Sequence, residues 1–268
     1  PDQNWLKALI SPLDDDSITA ATGYRWYSSD RFSLANELRS VWNASVATAL
    51  GDDEKKNFCW GGSTAIRLRD FKRLSIGEKW KIAASDDFII SRSIWQAGEN
   101  IKFVPQAMVN TGESADFRSL LAFTNRQMKI TRVYAPRLWK MSFFGSGLFC
   151  GVMGFGIYLL LFGQTVQMAT ALLVLSTVAI LSIAKSWLRL FAVRLVIPPV
   201  SKRFGKQLIT HSLLWPAAPP IFLINCIIAL FSRKIKWRGK EYLLLSAEHT
   251  VICNTGQNTD PRLSASAR

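Results

Sequence analysis

Histidine and cysteine are scarce in this chain: two and four among 268 residues. His211 and His249 stand too far apart for any His-based metal motif at the usual spacings. Cys59, Cys150, Cys226 and Cys253 form no CxxC pair, and two of them fall in apolar stretches, so neither a zinc site nor a disulfide framework is implied. Acidic residues are also few, 19 against 33 Lys and Arg, giving a net charge of +14. That excess does not point to nucleic acid, because no motif or aromatic-basic interleaving of that class is present. It collects instead around apolar stretches, as Arg132, Arg137 and Lys140 before one and as basic clusters within 185–194 and 202–206 after another. Such placement is that of positive-inside membrane flanks. There is no starting Met, basic n-region or apolar h-region, and the opening Pro1-Asp2-Gln3-Asn4-Trp5 reads as the start of a piece cut from a longer protein.

The most telling absence is the lack of Asp, Glu, Lys and Arg throughout residues 141–184. As one helix this run would be about 66 Å long, twice a bilayer core, so it must fold back. Gly163-Gln164-Thr165 is the expected turn, leaving 143–162 and 166–183 as two spans. Residues 186–197 are expected as an interfacial amphipathic helix. A third apolar segment, 207–232, carries Pro216, Pro219 and Pro220 near its middle, and a full crossing would leave the basic run after it outside. A re-entrant hairpin or an interfacial pair is the favoured reading, with the basic segment from 233 cytoplasmic and a disordered polar tail from Asn254. A transporter is disfavoured, since these spans carry almost no ionisable residue to mark a pathway.

Residues 1–140 read as α/β. The pattern predicts a short helix over 5–12, a strand over 18–26, a helix over 32–50 started at Ser29-Asp30, and a short strand over 57–60 entering Gly61-Gly62. A basic helical turn follows over 67–73. Ser85 is the expected N-cap of a helix that reaches Gln96 and is stopped by Gly98; a strand over 101–104 and a helix over 117–134 complete the set. Asp86 and Asp87 then occupy the first turn of the 86–96 helix, where the helix dipole stabilises acids and draws their pKa down. Asp14-Asp15-Asp16 reads as a solvated acidic loop, and Asn43-Ala44-Ser45 as an unused glycosylation sequon inside a helix.

The order of Phe58-Cys59-Trp60-Gly61-Gly62, Ser85-Asp86-Asp87-Phe88, Phe103-Val104-Pro105 and Arg126-Gln127-Met128-Lys129-Ile130 ahead of apolar spans resembles family 2 glycosyltransferases, closest to their ceramide glucosyltransferase-like branch. Trp237-Arg238-Gly239-Lys240-Glu241-Tyr242, after the apolar segments, adds to the likeness. The resemblance implies the C-terminal half of a GT-A nucleotide-sugar domain over 1–140, a membrane region over 141–232, and a basic cytoplasmic segment with its tail over 233–268. It implies Asp87 as catalytic base, Asp86 as its neighbour, and an inverting transfer of a hexose, glucose favoured, from a UDP-sugar to a lipid alcohol. A (Gln/Arg)-x-x-Arg-Trp motif of that family falls on Arg126, Lys129 and Ile130, which would meet donor diphosphate and acceptor. Lys for Arg keeps charge but loses the planar fork, and Ile for Trp removes a sugar-stacking platform, which suits an alkyl-rich acceptor. Gly61 and Gly62 would border the acceptor pocket. A Mg2+ or Mn2+ ion is implied, with its ligands ahead of residue 1, so these residues alone are expected to be inactive. A processive polysaccharide synthase and a non-catalytic membrane scaffold are the alternatives.

Overall fold

A computed structural model describes residues 4–29, 31–197, 203–237 and 239–253. In order these form α1 (Trp5–Ile10), β1 (Ile18–Thr22), β2 (Arg25–Tyr27), α2 (Leu34–Ala47), β3 (Thr64–Ile66), α3 (Leu68–Arg73), α4 (Ile76–Trp80), α5 (Asp86–Gln96), β4 (Asn100–Phe103), β5 (Val109–Thr111), α6 (Phe117–Tyr134), α7 (Pro136–Phe162), α8 (Thr165–Val196), α9 (Phe204–Leu214), α10 (Ala218–Phe231), β6 (Lys234–Trp237), β7 (Lys240–Ser246) and β8 (His249–Cys253). The result is a mixed helix and strand domain followed by long apolar helices.

The stretch expected as one strand over 18–26 is two. β1 is buried along its whole length and lies between antiparallel β3 and parallel β4, whereas β2 leaves that sheet to pair in parallel with β5. The break falls at Gly23, where a Cβ would stand 2.0 Å from the Ala107 carbonyl oxygen and 2.7 Å from Ser63 Oγ. Gly23→Ala should therefore force the 104–107 turn away from β1. We expect a loss of about 1–3 kcal/mol, the usual cost of overpacking, read from urea unfolding in detergent.

Residues 57–60, expected as a strand, are irregular because side chains take their polar groups. Asn57 Nδ2 donates to the carbonyls of Gly51 and Ile101, Cys59 N donates to Ser91 Oγ at 2.8 Å, and Trp60 N donates to Thr22 Oγ1 at 3.0 Å. The neighbouring helix α2 starts at Ser33, whose hydroxyl accepts from Asn36 N, rather than at Ser29-Asp30. The helix over 117–134 is as expected, and an Asp116–Ser119 capping box fixes its start.

The main core gathers Ile89, Ile90 and Ile94 of α5 with Ala20, Ile101, Ile130 and Tyr134. It also takes Ile235, Leu244 and Ala247, so the segment after 233, expected only as basic chain, closes the domain as the antiparallel sheet β6-β7-β8. Its apolar residues alternate with Lys and Glu too briefly to stand out from sequence. The expected tail from 254 lies outside the described residues.

Three helices are long and apolar enough to cross a membrane: Pro136–Phe162, Thr165–Val196 and Phe204–Phe231. The first two meet at Gly163 as expected, but α8 runs unbroken through Lys185 to Val196, so the 186–197 helix is its last turns and not a separate element. The third is two helices joined by a turn at Trp215–Ala217. Its start is fixed to the α/β domain by Gln207 Nε2 donating to the Tyr27 carbonyl at 3.0 Å and by a 3.1 Å contact of His211 Nε2 with Ser40 Oγ. The far end is fixed to it as well, through Phe222 stacked on Trp42 at 4.6 Å and Asn225 Nδ2 donating to Asn125 Oδ1 at 2.7 Å. Both halves also pack on the spans: Trp187 Nε1 of α8 donates to Ser212 Oγ at 2.8 Å, Phe204 lies 4.9 Å from Phe191 of α8, Cys226 and Ala229 share a core with Trp139 of α7, and Trp215 at the elbow lies 5.9 Å from Phe149.

Candidate active site

Asp86 and Asp87 open α5 opposite the Gly61-Gly62 turn. A Cβ on Gly61 would stand 3.2 Å from Asp86 Oδ2, and one on Gly62 would overlap the Trp60 ring at 2.3 Å, so two glycines let backbone and indole close over the acid pair. Ser85 is the N-cap residue as expected, with extended backbone, but its side chain accepts no hydrogen bond from the first turn. The Ser85 hydroxyl donates to Asp87 Oδ1, and the backbone amides of Phe88 and Gly61 also donate to that carboxylate. Asp86 is exposed and Asp87 half-buried.

The pKa of Asp87 departs from the expectation drawn from the helix dipole: it is raised. Burial is the main cause and the charge of Asp86 adds to it, while the Ser85 hydroxyl and the two amides oppose them. Burial wins because the residues around the carboxylate exclude water more than three donors compensate. Nearby Cys59 is fully enclosed and its thiol is pushed up to about 12 by burial, which removes it as a nucleophile at neutral pH.

The acid pair sits close to the start of the first long apolar helix. Tyr134 Oη accepts from Ala84 N at 2.9 Å and its ring lies 5.8 Å from that of Phe88, and Tyr134 is two residues before Pro136.

Beside Arg126, which the sequence singled out, stand two cations that it did not, Arg25 and Arg39. Arg25 lies over the rings of Trp60, Tyr27 and Phe123 at 5.6, 5.1 and 4.9 Å, and Arg39 lies over the Tyr27 ring at 4.3 Å. Arg126 approaches Arg25 and Tyr27; burial, and then the charge of Arg25, lowers its pKa. Arg39 donates to the Glu113 carbonyl, and the Nε atoms of Arg25 and Arg39 are buried without an acceptor. Among the described residues none of the three arginines has a carboxylate at ion-pair distance. Three half-buried or buried cations without a counter-charge make a place for an anion with several oxygens. The one signal in the sequence was the run Tyr24-Arg25-Trp26-Tyr27, whose strand alternation puts Arg25 and Tyr27 on one face.

The structure thus brings Asp86, Asp87, Gly61 and Gly62 together, and joins them through Trp60 and Arg25 to Arg126. Lys129 and Ile130 go elsewhere. Lys129 Nζ donates to Ser232 Oγ at 3.1 Å and to the Lys234 carbonyl at 2.8 Å, tying α6 to the start of β6. Ile130 is part of the main core. Asp14, Asp15 and Asp16 are exposed, with Asp15 accepting from Ser17 N and Asp16 paired to Arg69. Asn43 is buried, donating to the Arg25 carbonyl at 3.0 Å. Among the described residues no three His, Cys, Asp or Glu groups stand together to hold a metal ion, and Asp87 already accepts three hydrogen bonds. The implied Mg2+ or Mn2+ does not fit the described residues.

Comparison with curated proteins and with solved structures finds no match. A profile of glycosyl transferase family 21 matches residues 5–250, so the likeness seen in residues 1–140 extends through the apolar helices and into β8. The chain belongs to glycosyl transferase family 21, the ceramide glucosyltransferase family, and is a glycosyltransferase domain joined to helices of membrane-spanning length.

Proposed function

We propose that the chain is the base- and membrane-bearing part of an enzyme that transfers a hexose, with glucose the favoured sugar, from a UDP-sugar to the hydroxyl of a ceramide-like membrane lipid, with inversion at the anomeric carbon. The lipid oxygen attacks that carbon, the bond from the carbon to the UDP oxygen breaks, and Asp87 takes the proton of the attacking hydroxyl. Arg126, with Arg25 and Arg39, holds the diphosphate and offsets the charge that grows on it as it leaves. Residues 1–140 form the C-terminal half of a GT-A-type domain in this reading.

The observation that carries the proposal is the Tyr134 link: the residues flanking Asp87 contact the last residue of α6, immediately before a long apolar helix. A lipid alcohol can meet a base placed there without its tail leaving the bilayer. The basic flanks of the spans favour a cytoplasmic domain, where UDP-sugars are delivered from water. The hairpin of α9 and α10, rooted at both ends on the domain, favours a re-entrant third segment that leaves the bilayer on the side where it entered.

Two readings compete, a processive polysaccharide synthase and a non-catalytic scaffold. Membranes from cells that make the protein from its natural coding sequence, given UDP-[14C]glucose, should place label in an organic-extractable lipid with a β-linked hexose. Label in a long water-soluble polymer would replace the lipid acceptor by the synthase reading, and no label above that of control membranes with any UDP-hexose would leave the scaffold.

A further inference from the structure

Away from the acid pair, a cleft of about 260 Å³ is lined by Arg92 of α5, Arg132 of α6, Arg233 at the start of β6, and the turn between β7 and β8, with Ser246 polar and Val133 and Leu245 apolar in its wall. Arg92 lies five residues beyond Asp87, about 140° around the helix, so this cleft opens on a different face of α5.

Its charges are poorly matched within the protein. Arg92 Nε is buried without an acceptor, and the nearest carboxylate oxygen, from exposed Glu248, is 3.9 Å from its Nη2. Arg132 donates to the Ala229 and Leu230 carbonyls, which end α10, and Arg233 donates to the Leu245 carbonyl at 3.2 Å. The acceptors of Arg132 and Arg233 are neutral, so three positive charges face one cleft with a single exposed carboxylate, that of Glu248, against them. Burial, and then the charge of Arg233, lowers the pKa of Arg132.

Position identifies the anion. Arg132 is four residues before Pro136, Arg233 is two residues after Phe231, and the guanidinium of Arg132 lies 5.7 Å from the ring of Trp139 in the first turn of α7. The cleft is therefore at the level where two apolar helices begin and end, with an indole of the interfacial type beneath it. Basic clusters at that level bind acidic headgroups.

We propose that Arg92, Arg132 and Arg233 form a binding site for the phosphate of an anionic phospholipid headgroup. The site is separate from the transfer reaction and does not rest on the transfer reading. The ester-linked glycerol lies along Val133 and Leu245, and the acyl chains run down the exposed apolar surface of α7.

The test uses the full chain, purified in a neutral detergent. Native mass spectrometry and thermal unfolding should show phosphatidylglycerol retained and stabilising, with phosphatidylcholine much weaker. Arg92→Gln with Arg233→Gln should weaken phosphatidylglycerol binding about fivefold for each arginine removed, whereas Arg92→Lys with Arg233→Lys should keep much of it. Arg132 is left in place because it also caps α10. Equal binding of the two lipids by the unaltered protein overturns the proposal, as does unchanged phosphatidylglycerol affinity in a folded Gln double variant. Inorganic phosphate should bind at least tenfold more weakly; saturation at the same affinity would give the cleft to a soluble anion and overturn the lipid assignment.

Discussion

Asp87→Asn is expected to lower hexose transfer by about 10²–10⁴-fold, the range supplied by a positioned general base, without lowering the unfolding temperature at neutral pH. The second half follows from linkage. The folded-state pKa of Asp87 is raised above that of the unfolded chain, so its contribution to stability is full below the unfolded pKa and is lost as pH rises through the folded pKa. At neutral pH the buried carboxylate is an ionised group in a site that disfavours its charge, and an amide of the same shape relieves that cost. The raised pKa also fixes the acid limb of the pH–rate profile, because only the ionised form can accept a proton. Transfer should fall as pH drops through a value above the ordinary carboxylate range. Ser85→Ala removes a donor that favours the ionised form and should move this limb to higher pH, while Asp86→Asn removes a like charge and should move it lower. Initial rates across pH for the three variants check this. An Asn variant with more than a tenth of the parent rate would remove Asp87 as the base.

The acid pair was legible in sequence because its signals are local: a cap residue, two acids and an apolar helix fall within twelve positions. The spans were legible for a similar reason, since an uncharged run of that length has few other uses. What was not legible depends on which face of an element meets which neighbour. The spacing of Arg126 and Lys129 says only that they share part of a helix surface; that one meets Arg25 while the other anchors Ser232 and Lys234 depends on how β2 and the end of α10 pack on α6. The strand misplaced at 57–60 failed because its amides found hydroxyls 32 and 38 residues away in sequence. Likewise Ile235 and Leu244 enter the core from beyond the membrane region, a contact that no local pattern could announce. The pKa of Asp87 went the other way for a comparable reason: the helix dipole is a local property, and the burial that outweighs it is set by how the chain packs around α5.

Arg126→Ala should be the second most damaging change, lowering kcat/KM for UDP-sugar by about 10²–10³-fold, the loss seen when one preorganised charge-stabilising donor is removed. Arg25, Arg39 and Arg126 meet around Tyr27 with no carboxylate at ion-pair distance among the described residues. Their mutual repulsion is a cost in the free protein that a bound diphosphate removes. Charge that moves onto the leaving UDP during the reaction strengthens this contact in the transition state, so kcat should fall along with the affinity for donor. Arg126→Lys should recover only part of the loss, because an ammonium restores charge without the two-pronged contact of a guanidinium. Lys129→Ala gives the contrast. Its ammonium is engaged by Ser232 Oγ and the Lys234 carbonyl, so its removal should reduce transfer by less than tenfold and instead loosen the junction of α10 with β6, seen as faster proteolysis near 232–236. A steady-state comparison of the three variants separates the two cations. If Lys129→Ala lost kcat as deeply as Arg126→Ala while its junction stayed protected, the diphosphate would have to be moved from the Tyr27 cluster to the α6–β6 junction.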